Sequence, residues 1–468
     1  MSQPHRLSWR VKAGYSATDL GLATVETLLQ IYLLKFYNVV LGLPAAYTGL
    51  ALAIAIFWDA ISDPIMGGIS DGTRHKAGRR RPYILPGAIA LAFFTAAIFN
   101  PPFLNSHLFK FAYLLIIYIL LNTALTVISV PHAALGGELS FNRNERTEIF
   151  GYKRGFDTLG ALFGLTLPAI ILSFIGQTNT PENVAQSRHL VGFVLTLPLI
   201  TTAYITLRAT RGHDKPAHQS VRIARMRDLI IAQWSTFKNP YFLPLISAFI
   251  IISIGRTLNA STALYYYEYR LLFTEQETVG KILLPFFIAF LATIPLWIFI
   301  SRKKGKKWPA ISGIFALGIS GSLAYPLFPS GHILYPMLYA IPGGLFVGAI
   351  ILLDALIPDV IDHDELKTRQ NREGLYFGVW KMATKLARAL GLILSGILLD
   401  IIGFDPTSTL QSPEVTFQLA LIFGPVVGLF FLIGGTILIF FPLTDARHQR
   451  IQNLLQKRRE KHTSTSNI

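Results

Sequence analysis

Phe57-Trp58-Asp59-Ala60-Ile61-Ser62-Asp63-Pro64-Ile65-Met66-Gly67 places two carboxylates inside a stretch that otherwise reads as a lipid-spanning helix. Asp59 and Asp63 are four residues apart, and at 3.6 residues per turn that spacing stacks them on one helix face, with Ser62 beside it. An Asp at mid-membrane costs roughly 2.5 to 3.5 kcal/mol on insertion scales, so two at this separation call for a cation, a proton or a basic partner. The stretch therefore reads as a cation-coupling site; a pair facing water at a helix end is the plainer alternative.

The flanking sequence supports the membrane setting. Of 468 residues, 52% are hydrophobic and only 15% charged, and the mean hydropathy is +0.47, a balance rare in soluble chains. Apolar runs of about 20 residues, each enough for ~30 Å of hydrocarbon, recur twelve times: near 14–37, 45–70, 83–103, 109–131, 149–175, 190–208, 240–268, 278–300, 308–328, 333–357, 374–402 and 416–442. The expected fold is an all-α membrane protein of twelve transmembrane helices in two six-helix bundles. Met1 to Lys12 is polar and basic ahead of the first run, so no cleaved signal peptide is expected.

Charge alternates between connections. Arg74, Lys76, Arg79, Arg80 and Arg81 follow the second run, Arg143 and Arg146 the fourth, the segment Arg208 to Arg227 the sixth, Arg302 to Lys307 the eighth, and Lys367, Arg369 and Arg372 the tenth. By the positive-inside rule both termini are cytoplasmic, and the basic tail from Arg447 to Lys461 agrees. The net charge of +16 comes from these short clusters, which fit a membrane and not a nucleic-acid partner. With no cysteine, disulfides, thiolate metal sites and cysteine nucleophiles are excluded.

An internal repeat divides the chain. Gly78 and Gly305, Pro131 and Pro358, Glu138 and Glu365, and Arg154 and Lys381 each stand 227 positions apart. The expected organisation is a first bundle over 1–208, a cytoplasmic linker over 209–235, a second bundle over 236–445 and a basic tail over 446–468. Parallel duplication of this kind is typical of carriers whose solute site lies near the bilayer midplane.

Charged groups inside the runs are functional candidates by default. Besides Asp59 and Asp63 they are Asp19 and Glu26 in the first run, Lys153, Arg154 and Asp157 in the fifth, Arg256 in the seventh, and Lys381, Lys385 and Arg388 in the eleventh. That last set, at i, i+4 and i+7, makes a cationic stripe. Gly68-Ile69-Ser70-Asp71-Gly72 matches a nucleophile-elbow pattern but lacks the strand–turn–helix setting. Asp362-His363-Asp364-Glu365 resembles a metal cluster by composition, and reads more simply as a charged, helix-flanking network. There is no Walker pattern, so ATP-driven transport is not indicated. A lipid-modifying membrane enzyme, or a sensor built on a carrier fold, would need a nucleophile–base set or a large soluble domain, and neither is evident.

Trp58 through Gly67, then Asp71-Gly72-Thr73-Arg74 with Gly78-Arg79-Arg80-Arg81-Pro82, and Pro358-Asp359-Val360-Ile361-Asp362 running into Gly374 through Trp380, resemble the glycoside-pentoside-hexuronide:cation symporter family, the melibiose-permease branch of the major facilitator superfamily. The resemblance implies an alternating-access symporter and no enzyme. It implies Asp59, Asp63, Ser62 and Thr126 as the cation site, holding Na⁺ if the carrier is sodium-coupled and H⁺ otherwise. Asp19, Arg154, Ser129, Lys385 and Trp380 would face the solute, and Lys385, Lys381, Arg388, Asp71 and Arg79 would serve coupling and gating. Three positions depart from the family: Ser129 and Ala133 stand where melibiose carriers have Asp and Trp, and Ser62 stands where they have Asn. The expected substrate is a sugar or glycoside-like solute, with a lysolipid, as in the related animal carriers, the alternative. No cofactor beyond the coupling ion is expected, the bilayer and a small-molecule substrate are the expected partners, and a monomer in the plasma or inner membrane is the expected state.

Overall fold

The computed structural model describes residues 7–103, 105–140, 143–176, 180–213, 233–370 and 372–465, and these hold helices and no strand. The helices in chain order are α1 (Trp9–Lys35), α2 (Ala45–Gly72), α3 (Arg81–Phe99), α4 (His107–Glu138), α5 (Glu145–Ile175), α6 (Glu182–Ala209), α7 (Phe242–Arg270), α8 (Glu275–Lys304), α9 (Lys307–Leu327), α10 (Leu334–Thr368), α11 (Glu373–Ile401), α12 (Pro413–Ile439) and α13 (Asp445–Thr465). The eleven from α2 to α12 are long and apolar enough to cross a membrane. Helix α1 is 27 residues, about 40 Å, and so long enough as well. Its hydropathy is diluted by Arg10, Lys12, Asp19, Glu26 and Lys35, which it can carry because much of it is enclosed: Tyr15, Val25, Leu28 and Leu33 have no exposed surface. Large apolar side chains such as Phe93, Phe174 and Leu327 point outward instead, the polarity a bilayer requires.

Several spans run past the apolar stretch that marks them in the sequence. Helix α4 continues to Glu138 and α10 to Thr368, where charged residues find partners: Glu138 with Arg79 and Arg80, and Asp359 and Asp364 with Lys306 and Arg372. The basic tail is expected as a polar extension and forms α13. Residues 214–232 of the expected linker lie outside the described residues.

The described residues pack as two units. One draws on residues 1–223, 260–284 and 392–416, the other on 224–259, 285–391 and 417–468. In the first, α1 lies on α5, and small residues set the distance. A methyl group added at Gly160 would stand 2.2 Å from the Leu20 carbonyl oxygen, and one at Gly164 2.3 Å from that of Thr24. The pair is a small-xxx-small seam in which backbones touch. Hydrogen bonds fix its register: Thr24 Oγ1 donates to the Gly160 carbonyl at 3.1 Å and Tyr32 OH to that of Leu165 at 2.6 Å.

At the far end of the same unit, the ends of α7, α8 and α11 join the bundle. Asp400 accepts from the Ala45 and Ala46 amides at 3.1 and 3.0 Å, satisfying free donors at the α2 N-terminus. Lys35 pairs with Glu268, and the buried Arg188 with the buried Glu275. Arg188 also lies 4.5 Å from the centre of the Tyr32 ring. The second unit is laced where α10 meets α13, the α8–α9 connection and the α10–α11 connection. Asp362 meets His448 at 2.8 Å, Asp359 meets Lys306 at 2.6 Å, and Arg372 donates to Asp364 at 2.5 and 2.8 Å. Those bonds hold the Arg372 guanidinium pKa above its usual range. The acidic run from Asp362 to Glu365 thus includes members of a helix-flanking network, and among the described residues no group of three or more His, Cys, Asp or Glu is placed to hold a metal.

Candidate cation and solute site

The seam between α2 and α4 assembles the first cluster. Pro64 sits inside α2, one residue after Asp63, where the ring removes an amide donor. Trp58 Nε1 donates to Thr123 Oγ1 at 2.9 Å, fixing the register of the two helices one turn away. As a result Thr126 Oγ1 lies 2.7 Å from Asp59 Oδ1, 3.1 Å from Asp63 Oδ1 and 3.2 Å from Ser62 Oγ. Asp59, Ser62 and Thr126 are buried and Asp63 is half-buried.

Thr126 has one proton, so it donates to one carboxylate at a time while its lone pairs stay available. Two carboxylates and two hydroxyls within one turn make an all-oxygen cluster, the donor set of a hard cation. Two acids sharing one hydroxyl donor can equally share a proton, since like charges this close disfavour double ionisation.

A second cluster lies where α1, α4 and α5 meet. Asp19, 3% exposed, pairs with Lys153 of α5, and its Oδ1 is 3.6 Å from His132 Nδ1 of α4. The His132 ring stacks on Tyr15 with centroids 4.4 Å apart, and its Nε2 is 2.9 Å from the Tyr15 carbonyl oxygen. Tyr15 OH in turn donates to the His132 carbonyl at 3.0 Å.

Of the residues expected to face the solute, Arg154 is turned away from Asp19 and bonds Asp157 at 3.0 Å, with 73% of its side chain exposed. The base that meets Asp19 is its neighbour, Lys153. The sequence holds the signal for this: Lys153, Gly160 and Gly164 are seven and then four residues apart, so they share the α5 face that touches α1, whereas Arg154 is rotated by about 100°. His132 carries no formal charge and so does not stand out beside Asp, Glu, Lys and Arg, although an ionisable ring inside an apolar span belongs with them. Ser129, one turn before His132, is half-buried.

Asp71 and Arg79, expected in gating, belong to one network at the basic end of the first unit. Arg80 pairs with Asp71 and donates to Ser70 Oγ at 2.6 Å, while Arg79 and Arg80 converge on Glu138 at 2.7 and 3.3 Å. In the second unit, Trp380 is 7% exposed, stacks on Phe249 at 3.9 Å and donates to Asp354 Oδ1 at 2.9 Å. Along α11 below it, Lys381 is exposed and Lys385 and Arg388 are half-buried.

The profile of the MFS/sugar transport protein family matches residues 14–445. The chain belongs to that family. It is therefore a multi-pass membrane transporter of the major facilitator fold, not an enzyme, and the enzyme alternative falls away. Curated relatives are full-length. An uncharacterized symporter of Synechocystis is 28% identical over 97% of this chain and 98% of its own. The glucuronide carrier protein homolog of Escherichia coli is 25% identical over 95% of each, and the human sodium-dependent lysophosphatidylcholine symporter 1 is 26% identical over 97% of this chain and 88% of its own. Among solved structures, the nucleoside transporter NupG has a TM-score of 0.63 at 14% identity over 92% of this chain and 98% of that one. An inward-facing bacterial homolog of the lysosomal transporter Spinster has a TM-score of 0.67 at 16% identity over 96% and 99%. These two likenesses bear on the fold alone.

Proposed function

We propose that this transporter is a secondary active symporter that couples movement of a sugar or glycoside-like solute to Na⁺ or H⁺ by alternating access. The observation that carries the reading is the cluster of Asp59, Asp63, Ser62 and Thr126, four oxygen-bearing side chains from two helices joined through the Thr126 hydroxyl. Two acids this close inside an apolar span call for a cation, a proton or a basic partner, and here they meet at the seam of two helices, so ion binding and helix packing are linked at one place. The printed names of relatives, a glucuronide carrier homolog and a putative glycoside/cation symporter of Escherichia coli, support the solute class.

In this reading Asp19, Ser129 and Arg154 of the first unit are assigned to the solute, and so are Trp380 and Lys385 of the second. Lys381, Lys385, Arg388, Asp71 and Arg79 take part in coupling. The charge alternation of the loops supports cytoplasmic termini, and we assign the carrier to a plasma or inner membrane, acting as a monomer of two six-helix halves joined through residues 209–235. A second reading, a lysolipid carrier, is favoured by the sodium-dependent lysophosphatidylcholine symporters among the relatives.

Counterflow in proteoliposomes tests both readings. A panel of methyl glucosides, glucuronate and lysophosphatidylcholine, each under imposed Na⁺ or H⁺ gradients, is expected to show exchange of a glycoside or uronate that one gradient accelerates. Exchange of lysophosphatidylcholine alone would move the assignment to the second reading, and exchange indifferent to both gradients would refute symport.

A further inference from the structure

The second cluster contains a mismatch in its hydrogen bonds. The Tyr15 carbonyl can only accept, so the neutral His132 ring must carry its hydrogen on Nε2, 2.9 Å from that oxygen. Nδ1 then presents a lone pair, and it is buried with no hydrogen-bond partner. What it faces, 3.6 Å away, is Asp19 Oδ1, another acceptor, and Asp19 Oδ2 is likewise buried without a partner. Two buried acceptors turned toward each other leave a place for one proton, and orphaned groups of this kind are uncommon in native interiors.

Lys153 relieves the mismatch from one side only. Its ammonium pairs with Asp19 Oδ1 and offsets the buried carboxylate. The Lys153 side chain is 30% exposed, against 4% for Asp19 and 1% for His132, so it is the member with room to withdraw. The ring itself is held on both sides, by stacking on Tyr15 and by the two bonds that cross between α1 and α4.

We propose that His132, Asp19 and Lys153 form a proton-binding site, distinct from the Asp59–Asp63 cluster, in which the Lys153 ammonium and a proton on His132 Nδ1 are alternative counter-charges for Asp19. With Lys153 docked, the carboxylate is neutralised and His132 stays neutral. When Lys153 withdraws, a proton from solution binds Nδ1, turns that atom into a donor toward Asp19 and restores the charge balance. Asp19 on α1 and Lys153 on α5 are the charged groups that act on the ring, with the Tyr15 phenol stacked against it. Helix α2 presents Asp59 and Asp63, which meet α4 at Thr126, six residues or about 9 Å along the helix from His132. Residues Ile84–Phe99 of α3 include no ionisable side chain. A proton bound here would add a step to transport that does not depend on which ion occupies the α2–α4 cluster.

The test reads the ring directly and needs no transported solute. Full-length protein with ¹⁵N-labelled histidine side chains is titrated in nanodiscs, and His132→Asn identifies the signal. In the native protein the ring is expected to remain the Nε2–H tautomer from about pH 6 to 8. In Lys153→Met it should take up a proton at a proton concentration at least about tenfold lower, because an opposing charge is gone and Asp19 is left uncompensated. Lys153→Arg, which keeps the charge, should behave as native and serves as the control for folding. Adding Asp19→Asn to Lys153→Met should abolish the gain. A native-like titration in Lys153→Met, within about twofold, would overturn the proposal, as would a gain that survives removal of the Asp19 charge.

Discussion

Replacing Thr126 by Val keeps the side chain's shape and removes one hydroxyl, and the consequences for Na⁺ and for H⁺ have opposite signs. Thr126 Oγ1 is within 3.1 Å of both carboxylates. A hydrogen bond to a charged group contributes about 1.5 to 3 kcal/mol, or roughly ten- to a hundredfold in an equilibrium constant. If the site takes Na⁺, the variant has lost an oxygen ligand, and the Na⁺ concentration for half-saturation should rise by about that factor. If it takes H⁺, the variant has lost a donor that favours the ionised pair, so the proton concentration for half-occupancy should fall by a similar factor. Equilibrium dialysis with ²²Na⁺ reads the first, and a pH-indicator dye reporting protons exchanged by the purified protein reads the second. Ser62→Ala should move the same quantity in the same direction by less, because its hydroxyl touches Thr126 at 3.2 Å and the Asp59 backbone carbonyl. Both affinities unchanged within about twofold in Thr126→Val would refute the assignment of this cluster as the cation site.

Other regions carry their own predictions. Arg188→Met removes one partner of a pair whose members are 2% and 1% exposed and should destabilise the protein by about 3 to 5 kcal/mol, read as earlier thermal unfolding in detergent; Arg188→Met with Glu275→Met should recover most of the loss. Gly164→Val drives a side chain into the Thr24 carbonyl, 2.3 Å from the new Cβ, and should cost about 1 to 3 kcal/mol or more in the same assay, whereas Gly155→Ala, with open space around it, should cost far less. Glu138→Gln loosens both Arg79 and Arg80 and should raise the trypsin sensitivity of the segment from Arg74 to Arg81 in intact protein.

The fold was legible because span length and loop charge are direct imprints of a bilayer, and most helix boundaries follow the apolar runs within a few residues; the larger departures are the extended ends of α4 and α10, where charged residues find partners, and the polar first turns of α1 and α6. The Asp59–Asp63 cluster was legible for a related reason: an i, i+4 pair of acids in an apolar helix has one geometry. Where two adjacent residues compete, the outcome rests on the face a helix buries. Lys153 rather than Arg154 meets Asp19 because Gly160 and Gly164 turn that face to α1, and reading it requires knowing that α5 packs on α1. His132 was hidden for a different reason. A histidine shows no charge in the sequence, and its significance comes from the Tyr15 carbonyl that fixes its tautomer and the Asp19 carboxylate it faces. The capture of the Lys35 and Arg188 bases by Glu268 and Glu275 is likewise a matter of long-range packing, since each pair joins residues far apart in the chain.

The central claim, that ion binding at Asp59 and Asp63 drives solute movement, is tested most directly by gradient-driven uptake in proteoliposomes by native protein and Asp63→Asn side by side, using the panel member that shows counterflow. The account predicts that native protein accumulates the solute above its external concentration when a Na⁺ or H⁺ gradient is imposed, and that Asp63→Asn still exchanges the solute but only equilibrates it. Full gradient-driven accumulation by Asp63→Asn would contradict it.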